Sequence, residues 1–372
     1  MLKSLIHKLM RIAYLIEVNP YKNSGIVKKI NDQIEFWVQQ GHDVEPFILW
    51  PKLKKGDKNY FVRGRLYSNE ILNKLPDNFI KTYLTKIFTL PKIEKDLSQF
   101  SPDVLYIRQN IWYPGLTSVL SKYNTILEVN TVDTIEINHY SKFKKMVYNF
   151  GREKVLNSSK GIISVSPDIL KHYEQYTHLL KKVVSNGINL SKINKIKKDE
   201  NLDRVNFVFV GSNSMKWHGI DRIIELAKKF NEYFFNIVGY NKSDFKEVPN
   251  NMKFYGWVEK EELIEIYSKN HFGLGSFSNY LVGKKIDSTL KVREYLAYGL
   301  PVLLGHIDVD FKDCEFVFKI TDDDGSFIDR EEIKEYVEKN KNLIIDNKHL
   351  KIIDSSVKEK ERLSFFELFL TK

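Results

Sequence analysis

Lys291 and Glu294 stand three residues apart in the stretch Asp287-Ser-Thr-Leu-Lys-Val-Arg-Glu-Tyr-Leu-Ala-Tyr-Gly-Leu-Pro-Val-Leu303, a spacing that puts an ammonium and a carboxylate on one helical face. Ser288 reads as the N-cap, and Leu290, Leu296 and Ala297 as packing positions. Gly299 and Pro301 form the stop before an apolar strand, Val302-Leu303-Leu304. The free N–H groups and positive dipole end of such a helix favour a phosphate. A carboxylate one turn further in accepts hydrogen bonds from a vicinal diol such as ribose. The segment therefore suits a nucleoside diphosphate; the same spacing also serves a solvated i,i+3 ion pair.

The elements that must position this pair alternate along the chain. Arg11-Ile-Ala-Tyr-Leu-Ile16 reads as a strand, the small residues to Gly25 as a loop, and Ile26, Ile30, Ile34 and Trp37 as a helix. Strands follow at Val44–Leu49, Asp103–Arg108, Thr125–Val129, Gly161–Val165 and Lys182–Ser185. Helices are expected over about 77–99, 114–122 and 138–157, and the lysine-rich interlude around Lys52, Lys54, Lys55 and Lys58 reads as loop. After a polar, lysine-bearing segment the alternation restarts, with strands at Val205–Val210, Phe234–Val238, Met252–Gly256 and Phe272–Gly275 and helices over 219–230 and 259–269. Short apolar runs alternating with helices predict an α/β fold of two doubly wound Rossmann-like domains facing a central cleft, with ligands at the carboxyl ends of the strands. The expected division is an N-terminal domain over 1–186, a linker over 187–204, a nucleotide-binding domain over 205–350, and a C-terminal helix over 351–372 packing back on the first domain.

Composition narrows the class. At 372 residues there is room for two or three domains, and 42% hydrophobic with 28% charged residues is ordinary for a soluble globular protein. One cysteine, Cys314, closes no intramolecular disulfide and reads as a buried small hydrophobe, which fits a reducing cytoplasm. In MLKSLIHKLMRIAYLI, Lys3, His7, Lys8 and Arg11 interrupt any signal-peptide core, and no run reaches the ~18 apolar residues of a membrane span. The net charge of +10 calls for an anionic partner.

Other clusters point elsewhere. Asp308-Val-Asp310 and Asp322-Asp-Asp324 hold the D-x-D pattern of metal-dependent transferases, but both read as solvated loops. No zinc spacing is present and no metal site is expected. Over residues 139–154, Tyr140, Phe143, Met146 and Phe150 mix with Lys142, Lys144, Lys145, Arg152 and Lys154, a pattern suited to an anionic membrane surface. The other use of that pattern is a core-facing helix with a solvated basic side.

The order of motifs resembles family 4 of the GT-B glycosyltransferases. The likeness runs through Asn186-Gly-Ile-Asn189, Phe209-Val-Gly211, Trp217-His-Gly-Ile-Asp221, Phe254-Tyr-Gly-Trp-Val258 with Glu261-Glu-Leu263, and Lys291 to Val302. The first half agrees more loosely, through Ser24-Gly25, Glu128-Val-Asn130 and Ser164-Val-Ser166. The resemblance implies a metal-independent, retaining transfer of a sugar from a nucleotide-sugar donor to a glycan or lipid-linked hydroxyl, in surface polysaccharide biosynthesis. The nucleotide-sugar, UDP- or GDP-linked, is a substrate, and no cofactor is implied. Glu294 would hold ribose, while Lys291 with His218 or Lys216 would offset the leaving diphosphate. Ser288, Thr289 and Leu290 would form the phosphate-binding helix start, Gly211 and Gly25 would permit close approach, and the backbone of Trp257 and Val258 would pair with the base. Asn130 falls where many relatives place a histidine near the reacting sugar, and His139 is nearby in sequence. The family's first glutamate, eight residues before Glu294, is replaced here by Ile286, with Asp287 one place away. The expected location is cytoplasmic, peripheral on the inner membrane, without nucleic acid. The alternatives are a nucleotide-sugar epimerase of the same architecture and a basic nucleic-acid-binding protein.

Overall fold

The computed structural model describes residues 8–52, 56–199, 202–212 and 215–370. Lys3, His7, Lys54 and Lys55 lie outside these residues. The chain forms two compact units. The first runs through Val165, Ile169–Val184 and the segment from Lys358 onward, and the second comprises Ser166–Asp168 and Ser185–Val357.

In the first unit, β1 (Arg11–Ile16), β2 (Asp43–Leu49), β3 (Arg65–Tyr67), β4 (Val104–Arg108), β5 (Thr125–Val129), β6 (Gly161–Ser164) and β7 (Leu180–Val183) build one sheet in the order β3-β2-β1-β4-β5-β6-β7. Every pairing is parallel. β1 is buried from Ile12 through Ile16, because helices cover both faces of such a sheet and apolar side chains must point both ways. α1 (Gly25–Gln39) starts where the Ser24 hydroxyl accepts from Val27 N at 3.3 Å, and it buries Val27, Ile30, Ile34 and Trp37. α2 (Phe79–Phe100) starts after Asn78, whose side chain accepts from Lys81 N. α3 (Lys142–Asn157) begins later than the expected residue 138, because Ser141 caps Lys144 N. His139 instead ends a short 3-10 turn and is exposed. The interlude read as loop contains β3, which pairs with β2 at the sheet edge.

The second unit repeats the plan with β8 (Asn206–Val210), β9 (Phe234–Val238), β10 (Met252–Gly256), β11 (Phe272–Leu274), β12 (Ile286–Asp287), β13 (Val302–Leu304), β14 (Ile307–Asp308) and β15 (Val317–Lys319). The main sheet is parallel in the order β10-β9-β8-β11-β13-β15, and β12 pairs separately with β14. Strand order reverses beside β1 in one sheet and beside β8 in the other, and such switch points are where open α/β sheets bind ligands. α4 (Ile220–Lys229) and α5 (Leu290–Ala297) flank this second switch point.

Two segments differ from their sequence reading. Within the stretch read as a polar linker, Ile188, Leu190, Ile193 and Ile196 pack on the core of the second unit, so its apolar residues anchor it there despite the lysines between them. Asp308 and Asp310, read as a solvated loop, form a buried cluster with Arg293. Its two terminal nitrogens donate to Asp308 Oδ2 and Asp310 Oδ2, each at 2.6 Å, and its Nε donates to Asn186 O at 2.9 Å. A buried guanidinium needs such a complete set of acceptors. Asp322–Asp324 do lie in an exposed turn, with Asp323 paired to Lys285 and Lys319 and Gly325 at φ +86°. Cys314 is a partly buried free thiol.

α6 (Ser355–Glu367) carries the chain into the first unit, where Leu363, Phe365, Phe366 and Phe369 join the core around Trp37. Arg362 donates to Tyr106 Oη at 2.7 Å, and Trp37 Nε1 donates to Glu359 at 2.9 Å. Among the described residues no helix is long and apolar enough to cross a membrane.

Candidate functional site

In the second unit, Lys291 sits in the first turn of α5. The residue is only partly buried, yet its Nζ is sealed from solvent and has no hydrogen-bond partner. It lies 4.2 Å from the centre of the Phe209 ring, a face that attracts a cation but satisfies none of its three N–H groups. Burial pushes its pKa down to about 7. The solvated ion pair with Glu294 is therefore not how Lys291 is used. Glu294, one turn on, is partly buried beside Tyr267, Tyr295 and Tyr298, whose hydroxyls feel its charge.

His218 is buried at the end of a 3-10 turn, Lys216–His218. Its Nδ1 lies 3.3 Å from Ser212 N and 3.3 Å from Tyr240 Oη, and since a backbone N–H only donates, Nδ1 is the acceptor and the ring proton sits on Nε2. Burial and then the charge of Lys291 lower its pKa to about 2. In this geometry the ring presents an Nε2–H donor, so without a ligand His218 offers a hydrogen bond rather than a full positive charge. Lys216 is exposed.

Two glycines explain how backbone comes so close here. Gly239 has φ +88°, and a Cβ there would collide with the Gly211 carbonyl; a Cβ on Gly211 would press on the Phe209 and Tyr240 rings. Ser288 is not the N-cap: Thr289 precedes the first turn without a side-chain cap. The Ser288 hydroxyl is instead taken by Asn186 N at 2.8 Å and Arg293 Nη2 at 2.9 Å. Leu290 opens α5, partly buried. At the end of β10, Trp257 is 65% exposed and Val258 packs inward.

Asp287, the nearest acid to the missing family glutamate, has its carboxylate occupied. It accepts from Lys284 Nζ at 2.5 Å, Asn279 Nδ2 at 3.0 Å and Ser288 N at 2.9 Å. In the same unit, Asn186 Oδ1, Asn279 Oδ1, Thr289 Oγ1, Lys291 Nζ and His306 Nε2 are buried without a protein partner. Native proteins leave few such atoms, and each calls for a partner that the protein itself does not supply.

The first unit holds Gly25 and Asn130. Gly25 is the exposed first residue of α1. Asn130 follows β5; its Oδ1 accepts from Lys29 Nζ at 3.3 Å, and its Nδ2 is buried without a partner. Lys29 and Glu128 form a buried ion pair, and Tyr14 donates to Glu128 at 3.0 Å. Burial pushes the Glu128 carboxyl up, but the charges of Lys29, Arg108 and Arg362 outweigh it and hold the group below the usual carboxylate range. Burial lowers Lys29 to about 8 against the pull of Glu128. A cavity of about 200 Å³ opens beside this pair, lined by Arg108, Asn130, Asp133 and Lys144 among others.

The structure thus gathers Gly211, His218, Thr289, Leu290, Lys291 and Glu294 around one sheet edge of the second unit, and places Gly25 and Asn130 in the first. Sequence reasoning missed Lys29 and Arg108, and it read Lys144 as part of a membrane-facing basic side rather than as lining this cavity. The available signal was the charge of Glu128 at the end of an otherwise apolar buried strand, which requires a partner.

The architecture is the GT-B fold of glycosyltransferases. Sucrose-phosphate synthase from Thermosynechococcus elongatus matches with a TM-score of 0.63 at 12% identity, over 97% of this chain and 96% of that one. The lipopolysaccharide outer core galactosyltransferase WaaB in its apo form matches with a TM-score of 0.60 at 14% identity, over 96% and 100%. An alpha-glucosyltransferase in complex with UDP matches with a TM-score of 0.57 at 12% identity, over 96% and 100%. No protein-family description and no curated protein matches the sequence.

Proposed function

We propose that this protein is a retaining, metal-independent glycosyltransferase that moves a sugar from a UDP- or GDP-linked donor to a hydroxyl of a glycan or lipid-linked acceptor in surface polysaccharide biosynthesis. The observation that carries this is the Lys291 ammonium, buried at a helix start beside the strand-order reversal and left without an acceptor. A diphosphate supplies the missing acceptor oxygens. As the bond from sugar to diphosphate breaks, negative charge grows on the leaving oxygen, and a cation already in place stabilises it without reorganisation. The neutral His218 contributes an Nε2–H donor, Thr289 a hydroxyl, and Glu294 a carboxylate for the ribose diol. A solved alpha-glucosyltransferase of the same fold is in complex with UDP, which supports a nucleotide-linked donor. A cavity in the first unit with an unsatisfied amide, Asn130 Nδ2, favours transfer to an acceptor over epimerisation.

Peripheral membrane contact belongs to the same reading, on the cytoplasmic face. Phe143, Met146 and Phe150 are 48, 59 and 60% exposed along one side of α3, flanked by exposed Lys142, Lys145 and Lys154.

A thermal-shift panel of UDP, GDP, ADP and CDP tests the proposal. A nucleotide at a hundredfold excess over its dissociation constant adds about 2.7 kcal/mol of stability. One nucleotide is expected to shift the wild type and not Glu294→Ala; no shift with any of them would contradict the proposal.

A further inference from the structure

The cavity in the first unit has an unbalanced set of charges. Two of its three acids are paired with cations outside its lining. Glu128 is paired with Lys29, and Asp133 accepts from Arg152 Nε at 2.9 Å, Gln109 Nε2 at 2.8 Å and the Tyr148 hydroxyl. Glu136 accepts from Tyr140 Oη at 3.0 Å and keeps its charge, which acts on Lys144 but forms no ion pair with it, so the lining with its paired neighbours still carries one excess positive charge. Its two remaining cations, Arg108 and Lys144, hold no ion pair among the described residues. Arg108 ends β4 and is partly buried, and Lys144 stands 3.1 Å above the Tyr140 ring. Burial and the nearby charge of Lys86, opposed by Glu136, lower Lys144 to about 8. Asn130 Nδ2, also unsatisfied, adds a donor from just past the end of β5.

Two unpaired cations and an unused amide around a space of about 200 Å³ form a site for a small oxyanion. An adjoining cavity of about 140 Å³ shares Asn110, Ile111 and Lys144 and is walled by Trp50, Phe79 and Tyr83, which suit the ring or alkyl part of the same molecule. We propose that this cavity is an anion-binding acceptor subsite in which Arg108 and Lys144 hold a phosphate group of the acceptor. Naming the ligand an acceptor rests on the glycosyl-transfer reading; the anion site itself does not. The phosphate arrives either on a soluble sugar phosphate or on a lipid headgroup.

The test is binding of glycerol 1-phosphate to the full-length chain with UDP saturating, so that the second unit takes up no phosphate, with glycerol as the uncharged control. Vesicles of phosphatidylcholine with and without phosphatidate form the second arm. The wild type is expected to bind one or both phosphate probes and not the controls, and Arg108→Gln and Lys144→Gln are each expected to weaken that binding about tenfold or more. UDP affinity should stay unchanged in both variants. Binding of the soluble probe identifies a sugar phosphate; binding of phosphatidate vesicles alone identifies a lipid headgroup in the cavity only where Arg108→Gln, which leaves the basic side of α3 untouched, weakens it, and vesicle binding that Arg108→Gln retains is surface contact through α3 and counts against the proposal. Failure of the wild type to bind either probe, or binding that both variants retain, overturns the proposal. If Arg108→Gln does not fold, Lys144→Gln, on a partly exposed helix position, carries the test. A wild type that binds glycerol 1-phosphate but not UDP would remove the donor reading and leave the anion site standing.

Discussion

Lys29 in the first unit and Lys291 in the second both have ammonium groups shut away near the carboxyl edge of a parallel sheet, but their surroundings differ. Lys29 is answered by Glu128 and Asn130, and that carboxylate is held in turn by Tyr14. Lys291 faces an aromatic ring and no acceptor. A paired buried charge is already satisfied, so its removal is felt by the fold. An unpaired one costs stability until a ligand arrives, so its removal is felt by binding. On the proposed reading, the difference separates a residue that holds Asn130 and Glu128 in place from one whose missing acceptors the donor diphosphate would supply.

The largest effect is expected where the pair is broken. Lys29→Met leaves Glu128 charged and buried and should cost about 3–5 kcal/mol, a fall in Tm of roughly 10 °C. A loss under about 1 kcal/mol would show that Arg108 and Arg362 already suffice. Next comes Lys291→Met. UDP affinity should drop about ten- to hundredfold, the loss of one charge-assisted contact, while the unliganded protein is no less stable than wild type at pH 7. The pH sign follows from the depressed pKa. Unfolded Lys291 binds its proton up to about 10.4, whereas the folded residue releases it near 7. Its penalty is therefore complete below pH 7 and is relieved as pH rises towards 10. The stability gain that wild type shows across that range should shrink in Lys291→Met, and equal gains in both proteins would contradict the burial argument. The smallest effect belongs to Lys216→Ala. This exposed lysine, the alternative cation for the same task, should change UDP affinity less than about threefold. A larger loss would move the diphosphate away from Lys291.

How far the sequence could be read follows the same physics. Arg11–Ile16 and Phe234–Val238 were legible as strands because a sheet covered on both faces demands continuous apolar runs. β3, with three residues set among polar neighbours, is too short to show a period. Lys291 and Glu294 could be picked out by spacing. The isolation of Lys291 could not, since it depends on Phe209 and His218 brought in from a distant strand and turn. Ser288 looks like a cap until Asn186 and Arg293 claim its hydroxyl. Arg108 and Lys144 each sit in ordinary settings, a strand end and a basic helix, and only the topology makes them line one cavity.

Proton uptake on UDP binding, measured by calorimetry at pH 8 in buffers of different ionisation enthalpy, tests the central claim most directly. Lys291 is then mostly neutral in the free protein and must gain a proton to meet the diphosphate. The prediction is uptake of nearly one proton per UDP in wild type and markedly less in Lys291→Met, with UDP affinity constant below pH 7 and falling as pH rises above it. Binding of UDP by wild type with no proton uptake would mean that Lys291 is not the group that receives the diphosphate.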